Sequence, residues 1–243
     1  MESLLNDIAF IIGTTLMYST PLIFAAIGGV ITERSGIINI GLEGMMYFGA
    51  FVGAAVAYFT QDPWLGFFCA GLAGASLGLL HAIATVSFSA EQIVSGIAIN
   101  FLGAGLALFI SRLVFDGATQ TLTVPNKIPL PLAFLFGEGK LFPSAGFMDL
   151  VFNRFATVYI AFALVFVSWF VLYRTRLGMR LRAVGEHPEA ADSLGISVFR
   201  IRYGAVIMSG FLAGLGGAAM SIAVVSRFNN TLISGHGFIA RRR

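Results

Sequence analysis

The sequence predicts an all-α protein, a polytopic bundle of about six transmembrane helices. Of its 243 residues, 57% are hydrophobic and only 11% are charged, whereas a soluble domain is about 25% charged. The apolar residues form runs of roughly 20, the length that crosses a bilayer as a helix. The net charge of +3 does not indicate nucleic-acid binding, because the arginines cluster in one loop and at the last three positions.

The predicted spans follow one another from the N-terminus and are separated by polar breaks. They are Ile8–Ile31, Ile37–Phe59, Trp64–Val86, Ile93–Phe115, Phe155–Tyr173 and Tyr203–Val225. We expect a single transmembrane domain over residues 1–243. Its parts are four spans in 8–115, an extracytoplasmic loop at 116–154, a span at 155–173, a cytoplasmic loop at 174–202, a span at 203–225 and a tail at 226–243.

The loop before the last span sets the orientation, because it holds six arginines: Arg174, Arg176, Arg180, Arg182, Arg200 and Arg202. Basic loops between spans stay in the cytoplasm. Alternation of the spans then places the loop at 116–154 and the N-terminus outside. If Thr32–Asn39 were instead a break within the membrane, the N-terminus could lie inside.

A short helix is predicted within this basic loop. Pro188 suits the first helical position, and Glu189 places negative charge at the positive end of the helix dipole. Gly195 supplies a left-handed stop. About two capped turns, from Pro188 to Leu194, therefore project into the cytoplasm, where another protein can bind them.

Polar side chains within the spans fall into two groups. The first recurs every fourth residue: Ser35, Asn39, Glu43 and Tyr47. The second has the same spacing: Gln92, Gly96 and Asn100. On a helix each group forms one stripe, and polar groups at membrane depth face a bundle interior or a water-filled path. Two roles stay open: the stripes line a substrate path, or they hold a broken helix together. Glu91 is expected at a helix end near the interface.

Pairs of glycines spaced four residues apart predict close helix contacts: Gly49 and Gly53, Gly74 and Gly78, and Gly210 and Gly214. Small residues at this spacing let helix backbones approach each other in lipid.

Several chemistries have no support in the sequence. His81, His187 and His236 are scattered without other ligands at metal-binding spacing, so we expect no metal site. No G-x-x-x-x-G-K-[ST] phosphate loop occurs, so we expect no nucleotide hydrolysis by this chain and no cofactor of its own. If the protein pumps a solute, the energy comes from a partner.

Three ordered segments carry a resemblance to a known family. They are GVITERSGIINIGLEGMMYFGAFVG at Gly29–Gly53, EQIVSGIAINFLGAG at Glu91–Gly105, and RLGMRLRAVGEHPEAADSLGISVFRIR at Arg176–Arg202. They resemble the permeases of ABC importers in the branched-chain amino acid, simple sugar and nucleoside class. The resemblance is closest to nucleoside-type permeases that work with basic-membrane lipoproteins.

The resemblance implies a permease subunit that moves a small polar solute, first of all a nucleoside, across the cell membrane of a prokaryote by alternating access. It implies four kinds of partner: ATP-binding subunits that bind and hydrolyse ATP, a second and usually different permease, an extracytoplasmic substrate-binding lipoprotein, and the lipid membrane. This subunit is not expected to be an enzyme.

The resemblance and the polar stripes together assign residues to roles. The set that couples to the ATPase is Glu186, His187, Pro188, Glu189, Ala190, Ala191, Asp192, Leu194 and Gly195. The expected substrate path is Ser35, Asn39, Glu43, Tyr47, Gln92, Asn100 and Phe101. The two polar stripes should face one another or a shared cavity, and Tyr47 and Phe101 should offer rings on which a base stacks.

Other functions stay open at this stage. Permeases for simple sugars or riboflavin share much of the pattern. An ion-coupled secondary carrier would use an intramembrane carboxylate, and Glu43 is the candidate for that role.

The C-terminal segment departs from the family, whose members continue beyond the G-x-G-F-I-A segment. The end at Arg241–Arg243 looks truncated. We expect Phe228–Arg243 to remain at the outer side or the interface, and Tyr203–Val225 to keep apolar faces without partners. Such a chain should insert into the membrane but assemble poorly and transport little.

Overall fold

The computed structural model describes residues 2–131 and 152–240, and all the regular elements in these ranges are helices. They are α1 Glu2–Arg34, α2 Leu42–Thr60, α3 Pro63–Ala82, α4 Gln92–Val114, α5 Ala156–Arg174, α6 Arg176–Glu186, α7 Pro188–Ser193, α8 Val198–Ala218 and α9 His236–Ala240. Wider π-helical turns extend α3 over Ile83–Ser87 and α8 over Ala219–Val224. Among the described residues, six helices are long and apolar enough to cross a membrane. The predicted all-α bundle of six spans is therefore confirmed.

The second span begins later than predicted, at Leu42, because residues 37–40 are not helical. Gly36 ends α1 with φ +84°. The N–H of Gly36 donates to the carbonyl of Glu33 (3.1 Å), and the N–H of Ile37 donates to that of Thr32 (3.2 Å). These two bonds form the Schellman motif that commonly stops helices.

The prediction of one helical stripe through Ser35, Asn39, Glu43 and Tyr47 is therefore wrong. Ser35 lies in the turn after α1 and Asn39 in the extended segment, while only the other two lie on α2. The four residues are spaced four apart in the sequence, but the chain from Ser35 to Gly41 is not helical, so they do not lie on one face of one helix.

Helix α8 forms the centre of the bundle, and α1, α2 and α3 pack around it. The predicted glycine contacts are confirmed. A Cβ on Gly49 would lie 2.5 Å from the Cα of Gly214, and a Cβ on Gly74 would lie 2.8 Å from the same atom. A Cβ on Gly78 would lie 2.9 Å from the carbonyl oxygen of Val206. Backbones can approach this closely only because the side chains are missing.

The expectation that the last span has unpartnered apolar faces is wrong. Along the segment Val198–Val224, 83% of the most apolar window is buried within the bundle. The three helices that pack around it cover most of its length, so this span is the most enclosed of the six in the described parts of the chain.

The arginine-rich loop and residues 33–36 lie at one end of the bundle, which we call the arginine-rich end. Gly28 packs on Ser209 and Gly216 on Pro21, so α1 runs antiparallel to α8 and ends beside the start of α8. The N-terminus therefore lies at the opposite end, as the alternation of spans predicted. The break after α1 does not reverse this, because α1 alone is 33 residues long.

The segment after α8 folds back into the bundle. The loop after α4 fixes its start, because the N–H groups of Thr121 and Val124 donate to the carbonyls of Phe228 (3.1 Å) and Ser226 (2.8 Å). Phe228 and Ile233 are fully buried.

Helix α9 then lies against the first turn of α2. The expectation that residues 228–240 stay at the outer side is therefore wrong, because this contact lies deep in the bundle. Arg241–Arg243 lie outside the described residues, as does Lys140.

Candidate functional site: a helix break within the bundle and a capped helix at its arginine-rich end

The break between α1 and α2 is held by a buried amide. The Oδ1 atom of Asn39 accepts from the N–H of Gly41 (2.9 Å), and its Nδ2 donates to the Oγ of Ser209 on α8 (3.2 Å). Asn39 is only 1% exposed. A buried polar group without partners is costly, so these bonds make Asn39 a structural member of the break.

Helix α4 supports the same break from another side. Gln92 Oε1 accepts from the N–H of Ile38 (2.7 Å). Asn100 Oδ1 accepts from the N–H of Gly44 (2.8 Å), and its Nδ2 donates to the carbonyl of Ile40 (3.1 Å). The structure thus brings Gln92 and Asn100 of the second polar stripe against the break. Their side chains are hydrogen-bond partners for backbone N–H and carbonyl groups that form no hydrogen bond within a helix.

The depth of the break follows from helix geometry. Asn100 lies eight residues after the start of α4 and 14 before its end. At 1.5 Å per residue, this is about 12 Å from the arginine-rich end and about 21 Å from the opposite end. The start of α2 therefore lies inside the bundle, away from both ends.

Glu43, in the first turn of α2, binds the start of α9. Its Oε1 accepts from the N–H of Gly235 and its Oε2 from the N–H of Gly237, both at 2.6 Å. A carboxylate at a helix N-terminus is favoured by the helix dipole and by the free N–H groups there. Glu43 thus acts as a latch between α2 and α9.

Tyr47 joins the same two segments one turn further along α2. Its hydroxyl lies within hydrogen-bond distance of the backbone oxygen (2.8 Å) and side-chain oxygen (2.5 Å) of Asn230. Its ring packs edge-on against Phe228, with centroids 5.2 Å apart, and Phe51 packs on Phe228 at 5.5 Å. These three rings form a buried cluster, which we call the aromatic cluster.

Phe101 does not belong to this site. Its side chain is 77% exposed on the outside of α4, while its neighbour Asn100 points to the break. Successive residues on a helix point about 100° apart, so both cannot face the break.

Ser35 is fully buried in the turn after α1, where its hydroxyl donates to the carbonyl of Thr32 (2.7 Å). Glu91 caps α4 by accepting from the N–H groups of Ile93 and Val94.

Sequence reasoning missed several partners of the break. Ser209, Asn230 and the backbone of Gly235 and Gly237 lie 170 to 194 residues away along the chain. No spacing in the sequence links these residues to Asn39, Glu43 or Tyr47.

The short helix of the basic loop is present as α7, Pro188–Ser193, one residue shorter than predicted. Gly195 has φ +77°. The N–H of Gly195 donates to the carbonyl of Asp192 (2.8 Å), and that of Ile196 to Ala191 (3.1 Å). This is a second Schellman motif. Ala191 is buried, whereas Leu194 is 80% exposed.

The members of the predicted coupling set are divided between buried and exposed positions. Glu186 ends α6 and His187 connects α6 to α7. The exposed members are Glu186, His187, Glu189, Ala190, Asp192, Leu194 and Gly195. Pro188 is half-buried. The exposed members surround α7 and offer a surface to a partner.

Helix α6 connects this surface to the break. A Cβ on Gly185 would press on the carbonyl of Arg34 and would lie 3.2 Å from the nitrogen of Gly36. Arg202 Nε donates to the carbonyl of Ser35 (3.4 Å). The turn that ends α1 is therefore clamped between α6 and α8.

Residues 11–240 match a family model described as the permease component of branched-chain amino acid transport systems. The chain belongs to this family. It is a transport component and a multi-pass protein of the cell membrane, as the resemblance implied. No solved structure matches it.

Several curated relatives are permeases of ABC transporters. The guanosine ABC transporter permease protein NupQ of Bacillus subtilis is 44% identical over 243 residues, which cover 96% of this chain and 73% of NupQ. The nucleoside ABC transporter permease protein NupC of Lactococcus lactis is 37% identical, over 98% of this chain and 75% of NupC. The putative glucose ABC transporter permease protein TsgC13 of Haloferax volcanii is 36% identical, over 96% and 68%.

B. subtilis and L. lactis each contain a second, more distant permease that is named for the same solute. B. subtilis NupP, also named a guanosine permease, is 26% identical to this chain, and L. lactis NupB, also named a nucleoside permease, is 24% identical. The chain therefore resembles one member of each pair more than the other.

Proposed function

We propose that this permease imports a nucleoside, as one of two different permease subunits in an ABC transporter. The observation that carries the proposal is its 44% identity, over 96% of its length, to a guanosine permease. The greater similarity to NupQ than to NupP supports pairing with a second, different permease. ATP-binding subunits hydrolyse ATP, and an extracytoplasmic lipoprotein delivers the solute.

The chemistry around the break suits a nucleoside. Sugar hydroxyls and base edges form hydrogen bonds with amides and carboxylates, and Asn39, Glu43 and Asn100 lie around the start of α2. Base faces stack on aromatic rings. The aromatic cluster is buried here, so a base reaches Tyr47 only in a conformation in which residues 226–235 have moved away from α2.

Opening of the latch between Glu43 and α9 would couple the movement of residues 226–235 to ATP hydrolysis by the partner subunits. In our proposal the exposed surface of α7 contacts an ATP-binding subunit, and α6 transmits the displacement through Gly185 to the turn at Gly36. The break then moves, and Glu43 releases or recaptures the N–H groups of α9. Tightly packed elements transmit displacement because they do not compress easily.

Uptake measurements test the nature of the solute. Cells that express the complete transporter, with and without this chain, are given radiolabelled guanosine, uridine, glucose or riboflavin. We expect uptake of guanosine or uridine to depend on the chain. Chain-dependent uptake of glucose or riboflavin alone would contradict the proposal and favour the sugar or riboflavin alternative. The 36% identity to TsgC13, which is named a putative glucose permease, supports the sugar alternative.

Proteoliposomes test the energy source. We expect transport of the nucleoside to require ATP on the cytoplasmic side and to persist when a protonophore collapses the proton gradient. Transport that follows the ion gradient and ignores ATP would identify an ion-coupled carrier instead.

A further inference from the structure

An apolar groove with a cavity volume of about 820 Å³ opens near the arginine-rich end, between α1, α5, α6 and α8. Its walls are almost entirely aliphatic and include Ile31, Val167, Leu172, Ala205 and Met208. A Cβ on Gly204, which also lines the groove, would meet no atom within 4 Å. The groove is therefore open space rather than a tightly packed contact.

Three arginines line the same groove at its polar end. Arg176 and Arg180 lie one turn apart on α6, so they project from the same face, and Arg200 comes from the first turn of α8. All three are exposed. Among the described residues that line the groove, none is acidic.

We infer that this groove binds an anionic phospholipid of the cytoplasmic leaflet. The phosphate would lie between the three guanidinium groups, which form charge-assisted and bidentate bonds with phosphate oxygens. The acyl chains would lie along the aliphatic walls. The cytoplasmic leaflet is the one that carries anionic lipid, and the basic loop places the groove on that side.

Charge complementarity favours a phospholipid over another apolar helix. A helix of apolar side chains would cover the walls but would leave three cations unpaired at the rim. A single anionic lipid satisfies both surfaces. Leu177 of α6 lines the groove and is 64% exposed, which agrees with an amphipathic helix lying along the membrane surface.

The bound lipid would join α6 to the bundle. Arg176 and Arg180 belong to the helix that carries Gly185 and leads into α7, whereas Arg200 belongs to α8. A phosphate held by both helices would fix the position of the coupling surface, so the content of anionic lipid would affect coupling.

The test uses the purified transporter that contains this chain. Dioleoyl phosphatidylglycerol with a photoreactive group on one acyl chain is the probe, and the matching phosphatidylcholine is the control lipid. After irradiation, labelled peptides are identified by mass spectrometry. We expect phosphatidylglycerol to label peptides within 164–172 and 204–212 and to compete there against phosphatidylcholine.

Two kinds of variant distinguish the contribution of the three arginines to lipid binding from that of the apolar walls. The triple variant Arg176→Gln, Arg180→Gln, Arg200→Gln should weaken binding of phosphatidylglycerol on the order of 100-fold, since each arginine near anionic lipid contributes on the order of a fivefold effect. Arg174→Gln removes the same charge outside the groove and should change little.

Gly204→Leu should fill the groove and block the acyl chains while keeping all the arginines. Gly105→Leu is its control, because Gly105 also has nothing within 4 Å of a Cβ but lies on α4. Both replacements favour a helix over glycine, so loss of labelling by Gly204→Leu alone would reflect occupancy of the groove.

Three results would overturn the inference. They are equal labelling by the two lipids, labelling spread evenly over all exposed helix faces, and labelling that is unchanged in both the arginine variant and Gly204→Leu. Photocrosslinking from Met208 to another transporter subunit would assign the groove to a protein interface instead.

Discussion

A single carboxylate at the start of α2 explains how two chain segments meet deep in the bundle. Charged groups at membrane depth are costly, yet Glu43 accepts two hydrogen bonds at 2.6 Å from the N–H groups of Gly235 and Gly237. These are charge-assisted bonds, which are stronger than bonds between neutral groups. An unpaired carboxylate suits an ion-coupled carrier, but Glu43 has partners that give it a structural role.

Replacement of this carboxylate should free the start of α9. Glu43→Gln removes the charge and leaves one amide oxygen to accept, so we expect the amides of Gly235 and Gly237 to exchange hydrogen faster by about ten- to hundredfold. This range corresponds to the 1.5–3 kcal/mol typical of hydrogen bonds to charged groups. Hydrogen exchange of the purified protein measures the effect.

The matched control is Glu91→Gln, because Glu91 also accepts from two backbone N–H groups, those of Ile93 and Val94. It should affect exchange at the start of α4 only. Unchanged protection at Gly235 and Gly237 in the Glu43 variant would refute the latch.

The sequence predicted part of this site at the residue level. Asn39 and Asn100 stood out because amides are rare in apolar spans, and both hold the break. Ser209 did not stand out, because serine occurs in transmembrane helices for many reasons. Phe101 was misplaced because the direction of a side chain depends on which neighbouring helix covers it, and hydropathy carries no such information.

At the scale of elements, two glycines end helices in the same way. Gly36 and Gly195 have φ of +84° and +77°, and each is followed by a residue whose N–H completes a Schellman motif. The sequence predicted the second stop, because Pro188 marked the beginning of a short helix. It did not predict the first, because the polar residues before Gly36 indicated only a break between two spans, and the apolar residues from Ile37 onward suggested that the next helix begins at once.

Strain at the second stop should disturb coupling. A Cβ on Gly195 would meet no atom of this chain within 4 Å. Within the chain, Gly195→Val therefore acts through the backbone, whose left-handed conformation costs about 1–2 kcal/mol. Gly195→Asn should cost less, because asparagine tolerates this conformation. We expect guanosine-stimulated ATPase activity of the assembled transporter to fall in the valine variant and largely to persist in the asparagine variant.

Reversal of charge at the other end of α7, by Glu189→Lys, should weaken coupling as well, because it opposes the helix dipole. Membrane insertion should be normal in all three variants. Full stimulation in both Gly195→Val and Glu189→Lys would argue against α7 as the coupling surface.

The contact between α6 and the end of α1 gives a second test at this scale. Gly185→Ala adds a Cβ that presses on the carbonyl of Arg34, so α6 and the turn at Gly36 must separate. Alanine favours a helix over glycine by about 1 kcal/mol, so a defect would not come from unfolding of α6. We expect lower guanosine-stimulated ATPase activity.

Gly105→Ala serves as the control for this variant, because Gly105 has open space around it. It should leave coupling unchanged. Equal activity of the two variants would show that α6 transmits no displacement through Gly185.

At the scale of the whole molecule, the sequence predicted the number of spans because length and hydropathy are local properties. It could not predict which span lies at the centre, although the glycine pairs indicated which helices approach closely. The position of residues 228–240 was predicted wrongly, because their burial depends on the loop after α4 and on Glu43, which are distant in sequence. Long-range pairing of this kind leaves no periodic signal.

Two spans keep most of their surface uncovered by the described parts of the chain. Only 22% of the apolar window in α4 and 28% of that in α5 is buried, against 83% for the span that includes α8. Helix α5 borders the groove assigned to lipid. Helix α4 holds the break through Asn100 and presents Phe101 on its outer side, so it is the better candidate for contact with the second permease.

We therefore expect the second permease to pack against α4. Replacement of Phe101 by p-benzoylphenylalanine should yield a light-dependent cross-link to the partner permease, because Phe101 is 77% exposed and large aromatic side chains are frequent at subunit interfaces. The same replacement at Phe166 of α5, which is 65% exposed, should react with lipid and give no protein adduct. Cross-links from Phe166 but not from Phe101 would place the partner on α5.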